Sequence, residues 1–312
     1  MKTSLDHLSP RRQAELAHIR EIILEELQAK IASAGSARSG RYKILKLILF
    51  GSFAKGTWFD DKHSGRASDF DLLVIVSHRE LTDMSAFWEE VEDRLFSDPL
   101  VKRDVSLIVH TLPDVNRQLK DGQYFFSEIV NQGILLYEDA ELGKDGKAKN
   151  ILTKSGKANA ARAFDLAQGY HAWWLKKASF CLDDGRLHIG NDVQENNHAA
   201  FNLHQAAESA YRMFSLTVTL YAPATHHLGK LRSLACAIDE RLEEAWMPSQ
   251  KPYKRYFELL RRAYVEARYS PAYETTQEIL TWQAERIRKL IEIADALCIE
   301  RLERLRLEAI DA

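Results

Sequence analysis

Cysteine is scarce, and what little there is forms no pattern. Cys181, Cys236 and Cys298 are odd in number and widely scattered, which excludes a disulfide framework and any zinc-ligand spacing. No apolar run reaches membrane-spanning length. The opening Met1-Lys2-Thr3-Ser4-Leu5-Asp6-His7 lacks the apolar stretch of a signal peptide, so a reducing, cytoplasmic setting is expected. An excess of one charge is missing too. A formal net charge of −2 sets up no global field for nucleic acid, and the basic pieces Lys251-Pro252-Tyr253-Lys254-Arg255 and Arg261-Arg262 read as solvated helix faces. No Gly-x-Ser-x-Gly elbow and no Walker loop occurs, which removes the simplest serine-hydrolase and P-loop readings. What remains, at 312 residues with 46% apolar content, is ordinary soluble material long enough for two cores.

The two halves differ in pattern. Ser9-Pro10 through Ala32 predicts a helix, with Ser9 as cap, Pro10 in the first turn and Leu16, Ile19, Ile23 and Leu27 at helical spacing. Ser33 to Gly40 reads as a loop. Strands are expected at Ile44–Phe50, Leu72–Val76 and Val105–Val109, since each is a short apolar, β-rich run bounded by Gly or charge. Helices over Met84–Phe96 and Val115–Gln132 and a strand at Ile134–Tyr137 complete an α/β domain. The polar Gly143-Lys144-Asp145-Gly146-Lys147 suggests a division into 1–148 and 149–312. Beyond it no convincing strand remains. Amphipathic stretches run over Lys154–Leu182, Asp192–Leu220, Gly229–Ala245, Pro252–Arg268 and Pro271–Arg306, with Ala199, Leu203, Ala207, Ala210 and Phe214 sharing one face and Ile279, Trp282, Leu290, Ile293 and Leu297 another. A helical bundle follows. The fold class expected is α+β: an N-terminal mixed-sheet domain and a C-terminal all-α bundle.

Chemistry concentrates at the strand ends. Gly51-Ser52 follows the first strand, Asp69-Phe70-Asp71 leads into the second, and Asp104 precedes the third. Residues i and i+2 of a strand share a face, so Asp69 and Asp71 can grip one site while Phe70 turns into the core. Oxygen donors of this kind suit Mg²⁺, and Asp104 from a neighbouring strand would complete a two-ion arrangement. Gly51 lets the backbone approach a phosphate, the Ser52 hydroxyl can bind its oxygens, and Lys55 adds a cation. Asp is depleted in strands, so a pair leading into a buried one needs a reason.

The run LILFGSFAKGT…SDFDLLVIV with the later RDVSLIV resembles the polymerase-β-like nucleotidyltransferase superfamily. That resemblance implies transfer of a nucleoside monophosphate from an NTP, with ATP the expected donor. It implies Gly51 and Ser52 as the phosphate turn and Asp69, Asp71 and Asp104 as the catalytic metal ligands. The acceptor would be a hydroxyl of a small molecule, a protein or an RNA. Sixteen residues separate Ser52 from Asp69, more than most members use, and the surplus around Asp60 and Asp61 reads as an inserted surface loop. The alternative from another class is a non-catalytic nucleotide-binding or antitoxin-like interaction protein.

The run AFNLHQAAESAYRMF, then THHLGKL, then EARYSPAY, resembles the HEPN domain over about 160–300. Nuclease members of that group place a His a short way after an Arg. Here the position five residues beyond Arg268 is Tyr273, and a tyrosine holds its proton near neutral pH. The helical domain is therefore expected not to be an RNase, with Arg268 and Tyr269 either lining a cleft or pairing within the bundle. Oligomerisation through the bundle is one role the resemblance allows. His226-His227 read as helix-start residues, His198 and His204 as packing or capping contacts, Glu208 and Arg212 as an ion pair four apart, and Trp173, Trp174 and Trp246 as core or interdomain residues.

Overall fold

The computed structural model describes residues 1–33, 42–58, 60–61, 66–141, 149–156, 160–246 and 253–310. Of the loop expected over Ser33 to Gly40, Ser33 instead ends the first helix; positions 34–40 and the polar stretch at 143–147 lie outside the described residues. The chain divides into two compact units, Met1–Ala158 and Asn159–Ala312. The division falls ten residues beyond the expected one, and hydrogen bonds account for the difference. Asn116 Nδ2 donates to the Ile151 carbonyl, Thr153 N–H to Asn116 Oδ1, and Gly156 N–H to the Leu119 carbonyl. The segment after Asn150 is thereby tied to the first unit.

The first unit is built on a four-stranded sheet. Strands β1 (Ile44–Phe50), β4 (Phe70–Val76), β5 (Val105–Thr111) and β6 (Ile134–Glu138) lie in the order β5-β4-β1-β6. β1 pairs antiparallel with β4 and β6, whereas β4 and β5 run parallel, so the sheet is mixed, as expected. Every residue of β1 and β4 is buried, which explains runs that are apolar except for Lys46 and Asp71. One face carries Leu47, Leu49, Phe70, Leu72, Val74 and Val76, packed in a core with Leu16, Ile19 and Ile23 of α1 (Pro10–Ser33) and Val91 and Leu95 of α4 (Ser85–Ser97). The small α2 (Gly51–Lys55) follows β1 directly, and β2 (Asp60–Asp61) and β3 (Arg66–Ala67) form a separate two-stranded ribbon. The expected helix over 115–132 is two helices after α3 (Arg79–Thr82): α5 (Leu112–Lys120) and α6 (Tyr124–Gln132). Gly122 separates them at φ +66°, a conformation that ends a right-handed helix. Phe125 of α6 meets Phe50, and Phe126 meets His110, edge-on at the sheet's second face.

The second unit is helical: α7 (Ala160–Leu187), α8 (Val193–Thr219), α9 (Leu228–Ile238), a 3-10 turn at Glu240–Trp246, α10 (Tyr253–Tyr269) and α11 (Gln277–Ile310). The expected stretch to Ala245 splits because Asp239 takes an extended conformation and closes α9. Central α8 buries Ala199, Leu203, Ala207, Ala210 and Phe214 on the predicted face, together with half of its other positions, so it is enclosed by its neighbours. Trp246 is fully buried and donates its indole N–H to Tyr211 Oη at 2.7 Å. Trp173 departs from expectation. It is 69% exposed and belongs to no core.

Candidate active site

The strand ends of the first unit bring most of the sequence-predicted residues to one edge of the sheet. Phe50 pairs with Asp71, and Asp71 with Ser106. Phe70 pairs with Val105, and its N–H donates to the Asp104 carbonyl at 2.9 Å, so Asp69 and Asp104 each stand one residue before a paired strand start. Because β1 runs against β4, the last residue of β1 arrives at this same edge, and Gly51 follows at once. Alternation then sets Asp71 and Ser106 on the face away from Phe70 and Leu72.

Gly51 and Asp71 are in intimate contact. A Cβ on Gly51 would lie 2.4 Å from Asp71 Oδ2, and Gly51 sits at φ +71°. Both the space and the backbone conformation therefore require glycine. Asp71 is only 2% exposed, Asp69 is half-buried and Asp104 exposed. A carboxylate this deep is costly without a role or partners. Gly51 and Ser52 open α2 instead of forming a free turn, and the Ser52 carbonyl accepts the N–H groups of Gly56 and Thr57. Lys55 pairs with Glu128 of α6 at 2.6 Å, so its charge is shared with the protein. Asp60 and Asp61 belong to the β2–β3 ribbon, consistent in backbone with an insertion between β1 and β4.

The ligand atoms of Asp69, Asp71 and Asp104 do not all lie within 4.8 Å of one another. Among the described residues, the one group of three His, Cys, Asp or Glu side chains with ligand atoms within 4.8 Å of one another is Asp184, His188 and His198. Asp69, Asp71 and Asp104 share an edge by backbone register, and their depths differ.

The second unit holds a buried polar network that the sequence shows only in part. Glu208 Oε1 accepts from Arg212 Nε at 2.9 Å, as expected, and its Oε2 lies 2.9 Å from His226 Nδ1. Arg212 also donates to the Pro223 and Thr225 carbonyls, which fastens the segment between α8 and α9. His204 is fully buried, with its ring nitrogens 2.9 Å from the Leu260 carbonyl and 3.1 Å from that of His226; burial pushes its pKa down. His227 caps α9, accepting the Lys230 N–H. Arg268 donates to the Tyr264 carbonyl at 2.7 Å and lies over the rings of Phe201, Tyr264 and Tyr269. It therefore pairs within the bundle. Tyr273 is buried and donates its hydroxyl to the Leu259 carbonyl, and burial raises its pKa above the ordinary tyrosine value.

Residues 171–304 match the family model of the HEPN domain. The second unit carries a HEPN domain. The match covers α7 from His171 through most of α11 and includes no residue of the first unit. No curated protein matches the chain. Within the HEPN domain, the position that would have to supply a general base after Arg268 is a structural tyrosine with a raised pKa. The group that sequence reasoning missed is Asp184 with His188: a carboxylate and an imidazole four apart, spacing that puts both on one face of a helix.

Proposed function

We propose that the first unit is a metal-dependent nucleotidyltransferase that moves a nucleoside monophosphate, AMP by preference, from an NTP to an acceptor hydroxyl. The observation that carries this reading is the contact between Gly51 and Asp71 at the edge where β1 ends and β4 and β5 start. A glycine is held at positive φ against a buried carboxylate, with Asp69 and Asp104 at the neighbouring strand starts. Such an edge presents hard oxygen donors beside backbone that a phosphate can approach, which is the donor set Mg²⁺ prefers.

Asp69, Asp71 and Asp104 would hold Mg²⁺, which when bound neutralises charge on the phosphates and on the leaving pyrophosphate. The chain's own residues orient the reaction. Gly51 leaves room for the Asp71 carboxylate beside the turn, and the Ser52 hydroxyl donates to a phosphate oxygen. The acceptor oxygen attacks the α-phosphorus as the bond to the pyrophosphate oxygen breaks, and exposed Asp104 is the candidate to accept the hydroxyl proton. A second reading is a non-catalytic nucleotide-binding or antitoxin-like module, favoured by the unequal depth of the three carboxylates. Pyrophosphate release from Mg-ATP, compared between the native protein and Asp71→Asn, separates the two. Release that is lost in the variant supports the transferase; nucleotide binding without release in either supports the module.

A further inference from the structure

We infer that the HEPN domain holds a transition-metal site of its own, made of Asp184, His188 and His198, with Zn²⁺ the cation that fits it best. Asp184 lies in the last turn of α7, His188 one residue beyond that helix, and His198 near the start of α8. Asp184 Oδ2 is 3.1 Å from His198 Nε2, and Asp184 Oδ1 is 3.8 Å from His188 Nε2. The imidazoles meet edge to face, centroids 4.5 Å apart. Ligands at about 2.0–2.1 Å from a tetrahedral Zn²⁺ stand about 3.3 Å from one another, so the two separations between Asp184 and the imidazoles need to change by only about half an ångström. Two imidazoles and one carboxylate leave a fourth position open to water or another ligand.

The surrounding chain holds this geometry in place. Gly185 packs where a Cβ would lie 3.0 Å from Leu203 and 3.3 Å from the Ala199 carbonyl, so α7 and α8 approach closely beside Asp184. Asn196 clamps the connection by accepting the Gly190 N–H and donating to the Gly190 carbonyl. Asp192 caps α8 through the N–H groups of Gln194 and Glu195. The ligands therefore sit on two helix ends and a pinned turn, and little ordering is left for a metal to impose.

His198 Nε2 faces Asp184 Oδ2 at 3.1 Å and the Asn202 amide nitrogen at 3.0 Å. A cation held between His198 and Asp184 would take the ring nitrogen's lone pair, and the Asn202 amide would keep its bond to the His198 carbonyl at 3.2 Å.

The test uses the full-length protein dialysed against chelator, then titrated with Zn²⁺ alone by calorimetry and with Co²⁺ alone by visible absorption. Native protein should bind one Zn²⁺ that is lost in the histidine variants, and should give the intense absorption of tetrahedral Co²⁺ with nitrogen ligands. His188→Ala, His198→Ala and the milder His198→Gln should each weaken this binding by at least about 100-fold, more than loss of an outer-sphere partner, while Gly169→Ala, whose added methyl meets nothing within 4 Å, leaves it unchanged. Because His198 is exposed, His198→Ala and His198→Gln should melt without metal at the native temperature. The inference is overturned if native protein binds no Zn²⁺ with that stoichiometry, or if His198→Gln and His188→Ala bind it as the native protein does.

Discussion

Gly51→Ala is the substitution whose outcome the structure specifies most fully. The new methyl would lie 2.4 Å from Asp71 Oδ2 at a residue with φ +71°. Holding a non-glycine residue in the left-handed region costs about 1–2 kcal/mol, and pushing aside a buried side chain costs a further ~1–3 kcal/mol. Asp71 has little room to yield, being 2% exposed and set between Phe50 and Ser106 in the sheet. At about 2–4 °C per kcal/mol for a unit of this size, the calorimetric transition of the first unit should fall by roughly 5–15 °C. Gly169→Ala is the control. Its Cβ would meet nothing within 4 Å, on α7, so that change should stabilise by about 0.5–1 kcal/mol through helix propensity alone. Displacing Asp71 by even about 1 Å should also lower pyrophosphate release by ~100-fold at temperatures where the variant stays folded. A Gly51→Ala protein that melts within a degree of native and turns over normally would refute the reasoning from contact to site.

Further outcomes are expected. Asp69→Asn and Asp71→Asn should each reduce metal-dependent transfer by on the order of 10³-fold, measured as pyrophosphate release. Ser52→Ala should weaken NTP binding by about 1–3 kcal/mol in titration calorimetry, as for a lost hydrogen bond to a charged group. His110 contributes an acid limb. Burial lowers its pKa from 6.5 to about 4, so the unfolded chain binds this proton more readily, and the stability it contributes is full above pH 6.5 and lost as pH falls toward 4. His110→Leu should flatten that part of the stability profile in denaturant titrations. Purified protein should leave single-stranded RNA and tRNA intact; cleavage that disappears in Arg268→Ala would move the chemistry into the HEPN domain.

How much was legible in the sequence follows from what each signal depends on. The buried strands read clearly because β1 and β4 are enclosed on both faces, so their runs are apolar except for Lys46 and Asp71. The stripe on α8 read clearly because helical spacing is local. The break at Gly122 did not, since one glycine within an apolar pattern is ambiguous until its φ is known. The strand-end residues were visible as types in order, yet their unequal depth was not, because burial of Asp71 depends on Gly51 and on both neighbouring strands. Glu208 and Arg212 announced themselves by spacing, whereas His226 joins them only through the turn that Arg212 fastens. Asp184, His188 and His198 come together across two helices held close by Gly185, and only the Asp184–His188 half of that arrangement is written in local spacing.

Transfer of label from ATP carrying a radioactive α-phosphate is the measurement that bears most directly on the central claim. The full-length protein, supplied with Mg²⁺ and a cell extract as the source of acceptors, should attach label to an acceptor and release unlabelled pyrophosphate, and Asp71→Asn should do neither. No transfer by the native protein, or equal transfer by Asp71→Asn, would contradict the account.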